Sequence, residues 1–191
     1  MNAKIEKLKA LIDHPNTPRH EREAAIRIYN KLNLAKRQGN DLLIRHVDEL
    51  REAFRLTQRD HSFKMEAVVI MPDHLHCLWQ LPPGDDDFPT RWFLIKSGFS
   101  RSIKPGEFIS KSRQRKGERG LWQRRYWEHV IRDETDYYRY ADYIHYNPVK
   151  HGYVQVVKDW QYSSFHRWVT RGFYTLDWTT DVPEVIDANW E

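Results

Sequence analysis

Hydrophobic residues recur every three or four positions in two short runs at the start of the chain. A polar break at Asp13-His14-Pro15-Asn16 separates the runs, and Gln38-Gly39-Asn40 follows the second. This spacing is typical of amphipathic helices, and the glycine-containing tripeptide is typical of a linker. The pattern predicts an N-terminal helical hairpin over residues 1–40, whose role the sequence leaves open.

After the linker the hydrophobic pattern changes from helical to strand-like. An amphipathic helix is predicted to include Val47 and to end near Asp60. Residues 65–71 (MEAVVIM) have the pattern of a buried strand, Pro72-Asp73 indicates a turn, and residues 74–81 have the pattern of a second strand. These runs predict two strands paired as an antiparallel hairpin.

The remaining chain adds two predicted helices and one predicted strand. The helices cover residues 89–103 and 135–146, and Pro148 and Gly152 are expected to close the second. A strand is predicted over residues 124–131, and the polar, basic segment 110–120 is predicted to be a mobile loop. Mixed elements in this order predict an α+β fold, with helices packed against an antiparallel sheet.

Length and composition limit the class of protein. With 191 residues and 23.2 kDa, the chain is long enough for one domain, which we expect over residues 41–182. The N-terminal hairpin precedes this domain, and an acidic terminus at 183–191 follows it. No run approaches the roughly 18 apolar residues of a membrane span, and the charged start does not resemble a secretory signal. Cys77 has no second cysteine to pair with. We therefore expect a cytoplasmic protein without a membrane partner.

The basic residues are unevenly distributed. The net charge is only +4, but residues 91–132 hold twelve basic residues against three acidic ones, and aromatic residues make up 14% of the chain. Cations and flat rings together suit a groove for single-stranded nucleic acid, although tryptophan and tyrosine serve equally often as core. By charge and position, the candidate phosphate contacts are Lys96, Arg101, Arg124 and Arg125.

Two histidines in the second predicted strand form a candidate metal pair. Alternation places His74 and His76 on the same face of the strand, about 7 Å apart. Imidazole binds Mn and Zn well, and can serve Mg when oxygen atoms fill the other positions. A bare His-x-His pair is more often a solvated sheet face, so the pair alone supports no function.

The predicted helix at 135–146 supplies a possible complement to the histidines. Tyr143 and Asn147 are four residues apart and share one helix face, which would place a phenol beside an amide oxygen. A phenol is a possible nucleophile and an amide oxygen a possible third metal ligand. Five tyrosines crowd this region, at positions 137, 138, 140, 143 and 146, and spacing alone does not select one.

Several motifs in order resemble a known family. MPDHLHCLW (71–79), LPPGDDDF (81–88), WQRRYWEH (122–129) and DYIHYNPVKHG (142–152) are similar to the REP-associated tyrosine transposases, which act on repetitive extragenic palindromes. These proteins belong to the HUH single-strand endonucleases, in which U is a hydrophobic residue, here Leu75. The resemblance covers roughly residues 41–182.

The resemblance implies specific roles. Tyr143 matches the family nucleophile, His74 and His76 the metal-binding pair, and Asn147 the additional ligand of a divalent Mg or Mn ion. The implied fold is ferredoxin-like, and the implied substrate is hairpin DNA with a short unpaired recognition tetranucleotide. The implied reaction is single-strand cleavage and rejoining through a 5′-phosphotyrosine, with the tail at residues 163–178 near the site.

The start of the chain departs from the family pattern. The family normally opens with a strand just before the position of Asp41, where this chain has the helical hairpin, so an exposed sheet edge and a loosened metal site are expected. A catalytically inactive hairpin-binding protein is therefore an alternative. A replication initiator or relaxase is a third interpretation. The oligomeric state is left open, with a monomer slightly favoured.

Overall fold

The computed structural model describes residues 7, 10, 14, 17–21, 41–107, 109–123 and 126–180. The chain divides into two compact units, Met1–Leu42 and Leu43–Glu191. Most of the predicted helical hairpin at residues 1–40 lies outside the described residues, as does the acidic terminus at 183–191. The account below concerns the second unit.

The described residues from position 42 onward contain six α-helices, two strands and one 3-10 turn. In chain order they are α1 (Leu42–Arg45), α2 (Val47–Asp60), β1 (Lys64–Ile70), β2 (Leu75–Gln80), α3 (Phe88–Ser102), α4 (Lys111–Gln114), α5 (Glu134–Lys150), the 3-10 turn (Val157–Asp159) and α6 (Phe165–Thr170). Among the described helices, none is long and apolar enough to cross a membrane.

The sheet of the described region is an antiparallel pair of strands. Val69 pairs with His76 and Ile70 with Leu75, which confirms the predicted hairpin. The mixture of helices and an antiparallel sheet confirms the α+β class.

The expected exposed sheet edge is covered by the C-terminal tail. On the side of β1 away from β2, the Ile70 amide donates to the Tyr162 carbonyl (2.8 Å), and the Ser164 amide donates to the Val68 carbonyl (2.8 Å). Because these groups are paired within the chain, this part of the edge has no unsatisfied backbone to expose.

The two faces of the sheet bury different side chains. One face packs Val69 and Leu78 against Ala141 and Ile144 of α5, with Trp168 of α6 completing the cluster. On the other face, the Trp79 ring stacks on Phe63 and Trp92, with centroids 4.6 and 4.7 Å away. Strand alternation therefore separates Trp79 from the histidine face, as its period of two requires.

The strand predicted over residues 124–131 is wrong for the part that the structure describes. Residues 126–131 belong to no strand. Instead, His129 stacks on Trp127 and Tyr140, and its Nε2 lies 2.7 Å from the buried Asp136 carboxylate. Side-chain contacts with the start of α5 fix this segment, so its apolar and aromatic pattern does not come from strand pairing.

The end of α5 also differs from the prediction. Pro148 lies inside the helix, which continues to Lys150. A proline so close to the end costs few backbone hydrogen bonds. Gly152, with φ of 65°, then donates to the Val149 carbonyl, and Tyr153 donates to Pro148, so the glycine closes the helix through a Schellman motif.

The segment 110–120 was predicted to be a mobile loop, but it contains a helical turn. Arg113, in α4, donates from its guanidinium to the carbonyl oxygens of Arg119 (3.0 Å) and Trp122 (2.9 Å). Side-chain hydrogen bonds to the backbone therefore anchor it.

Candidate active site

The histidine pair and the candidate nucleophile lie at the interface between β2 and α5. The ring centroids of His74 and His76 are 5.1 Å apart, and the His76 ring meets the Tyr143 ring edge-on at 5.4 Å. Strand alternation places both imidazoles toward α5. The structure thus brings a phenol and two imidazoles together from distant parts of the sequence.

One face of α5 carries a row of three polar residues opposite the histidines. Tyr143, Asn147 and His151 follow one another at intervals of four, so they stack along one side of the helix. His76 contacts the start of this row, and His74 contacts its end, with a centroid distance of 5.7 Å to His151. Asn147, in the middle of the row, is therefore placed beside the histidine pair.

Asn147 is fully buried, yet its amide has no hydrogen-bond partner among the residues that the structure describes. Its exposed fraction is 0%, and within the described part of the chain neither Oδ1 nor Nδ2 makes a hydrogen bond. Leaving a buried polar group unsatisfied costs about 1–3 kcal/mol. A ligand that uses the amide oxygen would remove the part of this cost that belongs to Oδ1.

A carboxylate orients His74. The Nδ1 atom of His74 lies 2.7 Å from Oδ1 of Asp73. An ionised carboxylate only accepts hydrogen bonds, so the Nδ1 atom carries a proton in this pair. Nε2 is therefore the ring nitrogen that can bind a metal.

These residues fit a divalent cation that is completed by oxygen ligands. Among the described residues, no three histidine, cysteine, aspartate or glutamate side chains cluster into a metal site. Two imidazoles and an amide oxygen instead leave several coordination positions for water or phosphate oxygen, as Mg and Mn prefer. The unsatisfied Asn147 amide is the observation that favours this fit.

Ring contacts separate Tyr143 from its neighbouring tyrosines. The Tyr137 hydroxyl donates to Glu66 (3.4 Å), and burial together with that carboxylate raises the pKa of Tyr137 to about 12. Tyr138 packs edge-on against Trp168, and Tyr140 stacks on His129. Among the described ring contacts, Tyr143 is the tyrosine that touches the histidine pair.

Two residues near the site were not identified from the sequence. Lys150 places its Nζ 5.0 Å from the centroid of the Tyr143 ring, and His151 packs on His74. Both follow Tyr143 by about two helical turns, at positions i+7 and i+8. This helical spacing could have identified both residues, but the helix was predicted to end at residue 146, before Pro148.

The tail packs against the side of α5 that faces away from the histidines. The Tyr174 hydroxyl donates to Asp142 (2.6 Å), and Ser164 Oγ lies 2.8 Å from His145 Nε2. Burial lowers the pKa of His145 to about 3, so this imidazole is neutral at ordinary pH. Residues 163–178 thus contact Asp142, the immediate sequence neighbour of Tyr143, and His145 on the same helix.

Two of the four candidate phosphate contacts, Lys96 and Arg101, lie in the described structure. Lys96 is half-buried, with its Nζ 4.8 Å from the Tyr126 ring centroid and 5.7 Å from that of Trp92, and burial lowers its pKa. Arg101 is exposed near the end of α3. Arg124 and Arg125 lie outside the described residues.

Comparisons with known proteins agree with the motifs. The family model described as Transposase IS200 like matches residues 34–147. An Escherichia coli REP-associated tyrosine transposase is 43% identical over 153 residues, which cover 80% of this chain and 84% of the relative. A Haemophilus influenzae protein provisionally given the same name is 48% identical over 134 residues, covering 70% and 76%.

A solved structure is similar in fold as well as sequence. It is a REP-associated tyrosine transposase bound to a REP hairpin, with a TM-score of 0.65 and 44% identity, and the match covers 75% of this chain and 79% of that one. The chain therefore belongs to the IS200-like transposase family and, within it, to the REP-associated tyrosine transposases.

Proposed function

We propose that the protein cleaves and rejoins single-stranded DNA at REP hairpins through a 5′-phosphotyrosine on Tyr143, with a divalent metal. The observation that carries this proposal is the Tyr143 ring lying against His76, in one row with the unsatisfied Asn147. The hairpin bound to the similar solved structure supports the choice of DNA.

Cleavage is a transesterification at one phosphate. The Tyr143 oxygen forms a bond to phosphorus, and the bond from phosphorus to the 3′ oxygen breaks. The phenol loses its proton to solvent, and the departing 3′ oxygen gains one. The products are a 5′-phosphotyrosine and a free 3′ hydroxyl, and attack by another 3′ hydroxyl reverses the reaction to join DNA without ATP.

The residues around Tyr143 address the weak nucleophilicity of a phenol. A tyrosine hydroxyl has a pKa of about 10, so the phenolate is scarce near neutral pH. The Lys150 ammonium, 5.0 Å from the ring centroid, favours negative charge on the oxygen and on the reacting phosphate. A Mg or Mn ion held by His74, His76 and Asn147 would polarise the scissile phosphate.

Phosphate contacts along the DNA backbone are proposed for the basic residues outside the site. Arg101 is an exposed candidate, and Arg124 and Arg125 join it by charge and sequence position. Lys96 is the weakest candidate, because its ammonium already interacts with aromatic rings. Such contacts hold a strand in place without reading its sequence.

A covalent-adduct assay tests the proposal. A REP hairpin oligonucleotide labelled at its 3′ end is incubated with the protein and Mn or Mg, so that the fragment attached to tyrosine carries the label. We expect a denaturation-resistant labelled band that Tyr143→Phe abolishes. Tyr146→Phe, on the same helix, is the matched control and should retain it. A band that persists in Tyr143→Phe would refute the nucleophile.

An inactive hairpin-binding protein is the second candidate, favoured by the helical pattern of residues 1–40, where the family's usual first strand is expected. It predicts hairpin binding that weakens with salt, and no adduct with any divalent metal. The same assay therefore separates the two functions.

A further inference from the structure

A line of buried polar groups joins β1 to α5 through two residues of the tail. The Val68 amide donates to Ser164 Oγ (2.9 Å), which lies 2.8 Å from Nε2 of His145. The other ring nitrogen of His145, Nδ1, lies 3.3 Å from the Tyr174 hydroxyl, which donates to the Asp142 carboxylate at 2.6 Å. We call these five residues the polar network. The reaction proposed above uses none of their side chains.

The hydrogen bonds of the polar network run in one direction. An ionised Asp142 only accepts, so Tyr174 gives it its single proton and accepts from Nδ1 of His145. In a neutral imidazole the other nitrogen is then an acceptor, which suits the Ser164 hydroxyl. The Val68 carbonyl, 3.2 Å from Ser164 Oγ, is the more distant acceptor for that proton. Each of the three central side chains therefore both donates and accepts, so the loss of one breaks the network.

The polar network holds α5 on both sides of the candidate nucleophile. Asp142 comes directly before Tyr143, and the fully buried His145 comes two residues after it. Because Asp142 and His145 are three residues apart, they lie one turn apart on the same side of the helix. Two such anchors limit both rotation of α5 about its axis and sliding along it. The other end of the network is attached to β1 beside Val69, which pairs with His76.

Apolar packing between α5 and the sheet does not set this alignment in the same way. Ala141 and Ile144 pack on β1 and β2, but the hydrophobic effect that drives such packing is non-directional. Hydrogen bonds are directional, and a buried network whose members are all satisfied favours one arrangement. The alignment matters because a displacement of about 1 Å in a reacting group can slow a reaction about a hundredfold.

We propose that His145 and Tyr174 are positioning residues, which through the polar network hold α5 in the orientation that places Tyr143 against His76 and Asn147 beside the histidine pair. The reaction that this alignment serves rests on the proposed function. The alignment itself can be measured without DNA or metal.

Tyr174→Phe breaks the polar network with little change in packing. The ring of Tyr174 stacks on Phe165 and Trp168, with centroids 5.6 and 5.3 Å away, and a phenylalanine ring can keep both contacts. The variant loses only the hydroxyl that links His145 to Asp142. Ser164→Ala breaks the network at its other end and should have the same effects, so the test does not depend on the folding of one variant.

Nuclear magnetic resonance of the metal-free, full-length protein measures the alignment. The ring protons of His76 sense the ring current of Tyr143, because the two rings meet edge-on at 5.4 Å. Their resonances are assigned in histidine-labelled protein by comparison with His76→Gln. We expect Tyr174→Phe to shift them, because α5 is free to move against β2.

The rate of adduct formation measures the consequence for the reaction. With saturating REP hairpin and Mn, Tyr174→Phe should form the adduct about tenfold more slowly or worse, because Tyr143 is misaligned. The affinity for the hairpin, measured in EDTA, should change by less than about twofold, since the polar network is not expected to touch DNA. This split separates positioning from substrate binding.

Two controls separate positioning from a general loss of stability. Tyr138→Phe removes a hydroxyl from α5 outside the polar network, and should change neither the His76 resonances nor the rate. Phe99→Leu shortens a fully buried side chain of α3, so it should lower the melting temperature. It should nevertheless leave the His76 resonances and the adduct rate as they are in the wild type.

The outcomes distinguish positioning from the catalytic proposal. His76 resonances that stay in place in Tyr174→Phe, or that Phe99→Leu shifts equally, would overturn the positioning role. A wild-type adduct rate in Tyr174→Phe would overturn it as well. Shifted resonances in a protein that forms no adduct would sink the catalytic proposal alone.

Discussion

Two regions of the molecule differ in how their polar groups are satisfied. One is the basic region between Asp85 and Trp122, and the other is the face of α5 that packs against β2. In the basic region, two arginines that the sequence offers to DNA, Arg91 and Arg119, are paired with carboxylates of the same chain. On the α5 face, the fully buried Asn147 amide has no hydrogen-bond partner in the described structure. Charges that are paired within the chain stabilise the fold, whereas a buried polar group without a partner is available to a ligand.

Arg91 illustrates the first case. It is buried, with its guanidinium bidentate to Asp85 at 3.0 and 2.5 Å, and it also donates to the Ser62 carbonyl at 2.8 Å. Arg119 forms a similar fork with Glu107, at 2.5 and 2.9 Å. A count of charge along residues 91–132 therefore overstates the surface available to phosphate.

Asn147 illustrates the second case. Native proteins satisfy most buried polar groups, and the exceptions often lie at functional sites, where a local cost is tolerated. Here the exception lies in the α5 row that begins with Tyr143, and this row faces the histidine pair. An unsatisfied amide is therefore better evidence for a site than the basic composition is.

The largest expected effect is a fall in the free energy of unfolding when Arg91 of the basic region is replaced. Arg91→Met removes a buried guanidinium that donates to Asp85 and to the Asp87 and Ser62 carbonyls. The lost hydrogen bonds should lower the free energy of unfolding by about 3 kcal/mol. Urea denaturation measures the loss. Arg101→Ala, at an exposed position, should change stability by less than about 0.5 kcal/mol but flatten the salt dependence of hairpin binding. The reverse pattern would mean that the two arginines were assigned wrongly.

The next effect concerns metal binding at the α5 face. Mn at a hundred times its dissociation constant should stabilise the wild-type fold by about 2.7 kcal/mol. Asn147→Leu should reduce this gain and, without metal, be as stable as the wild type, because an apolar side chain removes the unsatisfied amide. Thermal melting with and without Mn measures both. A large loss of stability in metal-free Asn147→Leu would contradict the ligand role.

The smallest effect is a pH dependence in the basic region. The hydrogen bonds from Arg119 lower the pKa of Glu107 to about 2. Because the folded-state pKa lies below the ordinary value, the pair stabilises the fold above about pH 4.5, and this contribution is lost as the pH falls toward 2. Urea midpoints between pH 6 and 3 should therefore fall more steeply for the wild type than for Glu107→Gln. Parallel curves would show that the pair contributes nothing.

The sequence predicted the elements that depend on local pattern. Alternation from His74 to Gln80 gave the histidine face correctly, and the interval of four gave Tyr143 and Asn147 a common face. The strand at residues 124–131 failed because aromatic residues there pack on α5. The helix end was placed too early because Pro148 lies inside the helix, whereas Gly152 closes it as predicted.

Long-range pairings could not be predicted from one sequence. Asp85 and Arg91 are close in the chain, but the burial of their ion pair depends on carbonyls at His61 and Ser62. The polar network likewise joins Val68 of β1 to Tyr174 of the tail. No local pattern connects these positions, so only the folded chain reveals the contacts.

The most direct test of the central claim is to identify the residue that carries the DNA phosphate. The adduct is digested with nuclease and trypsin, and the peptide spanning residues 140–150 (YADYIHYNPVK) is fragmented in a mass spectrometer. The account predicts a nucleotide on Tyr143. Its attachment to Tyr140 or Tyr146, or to a peptide elsewhere in the chain, would contradict it.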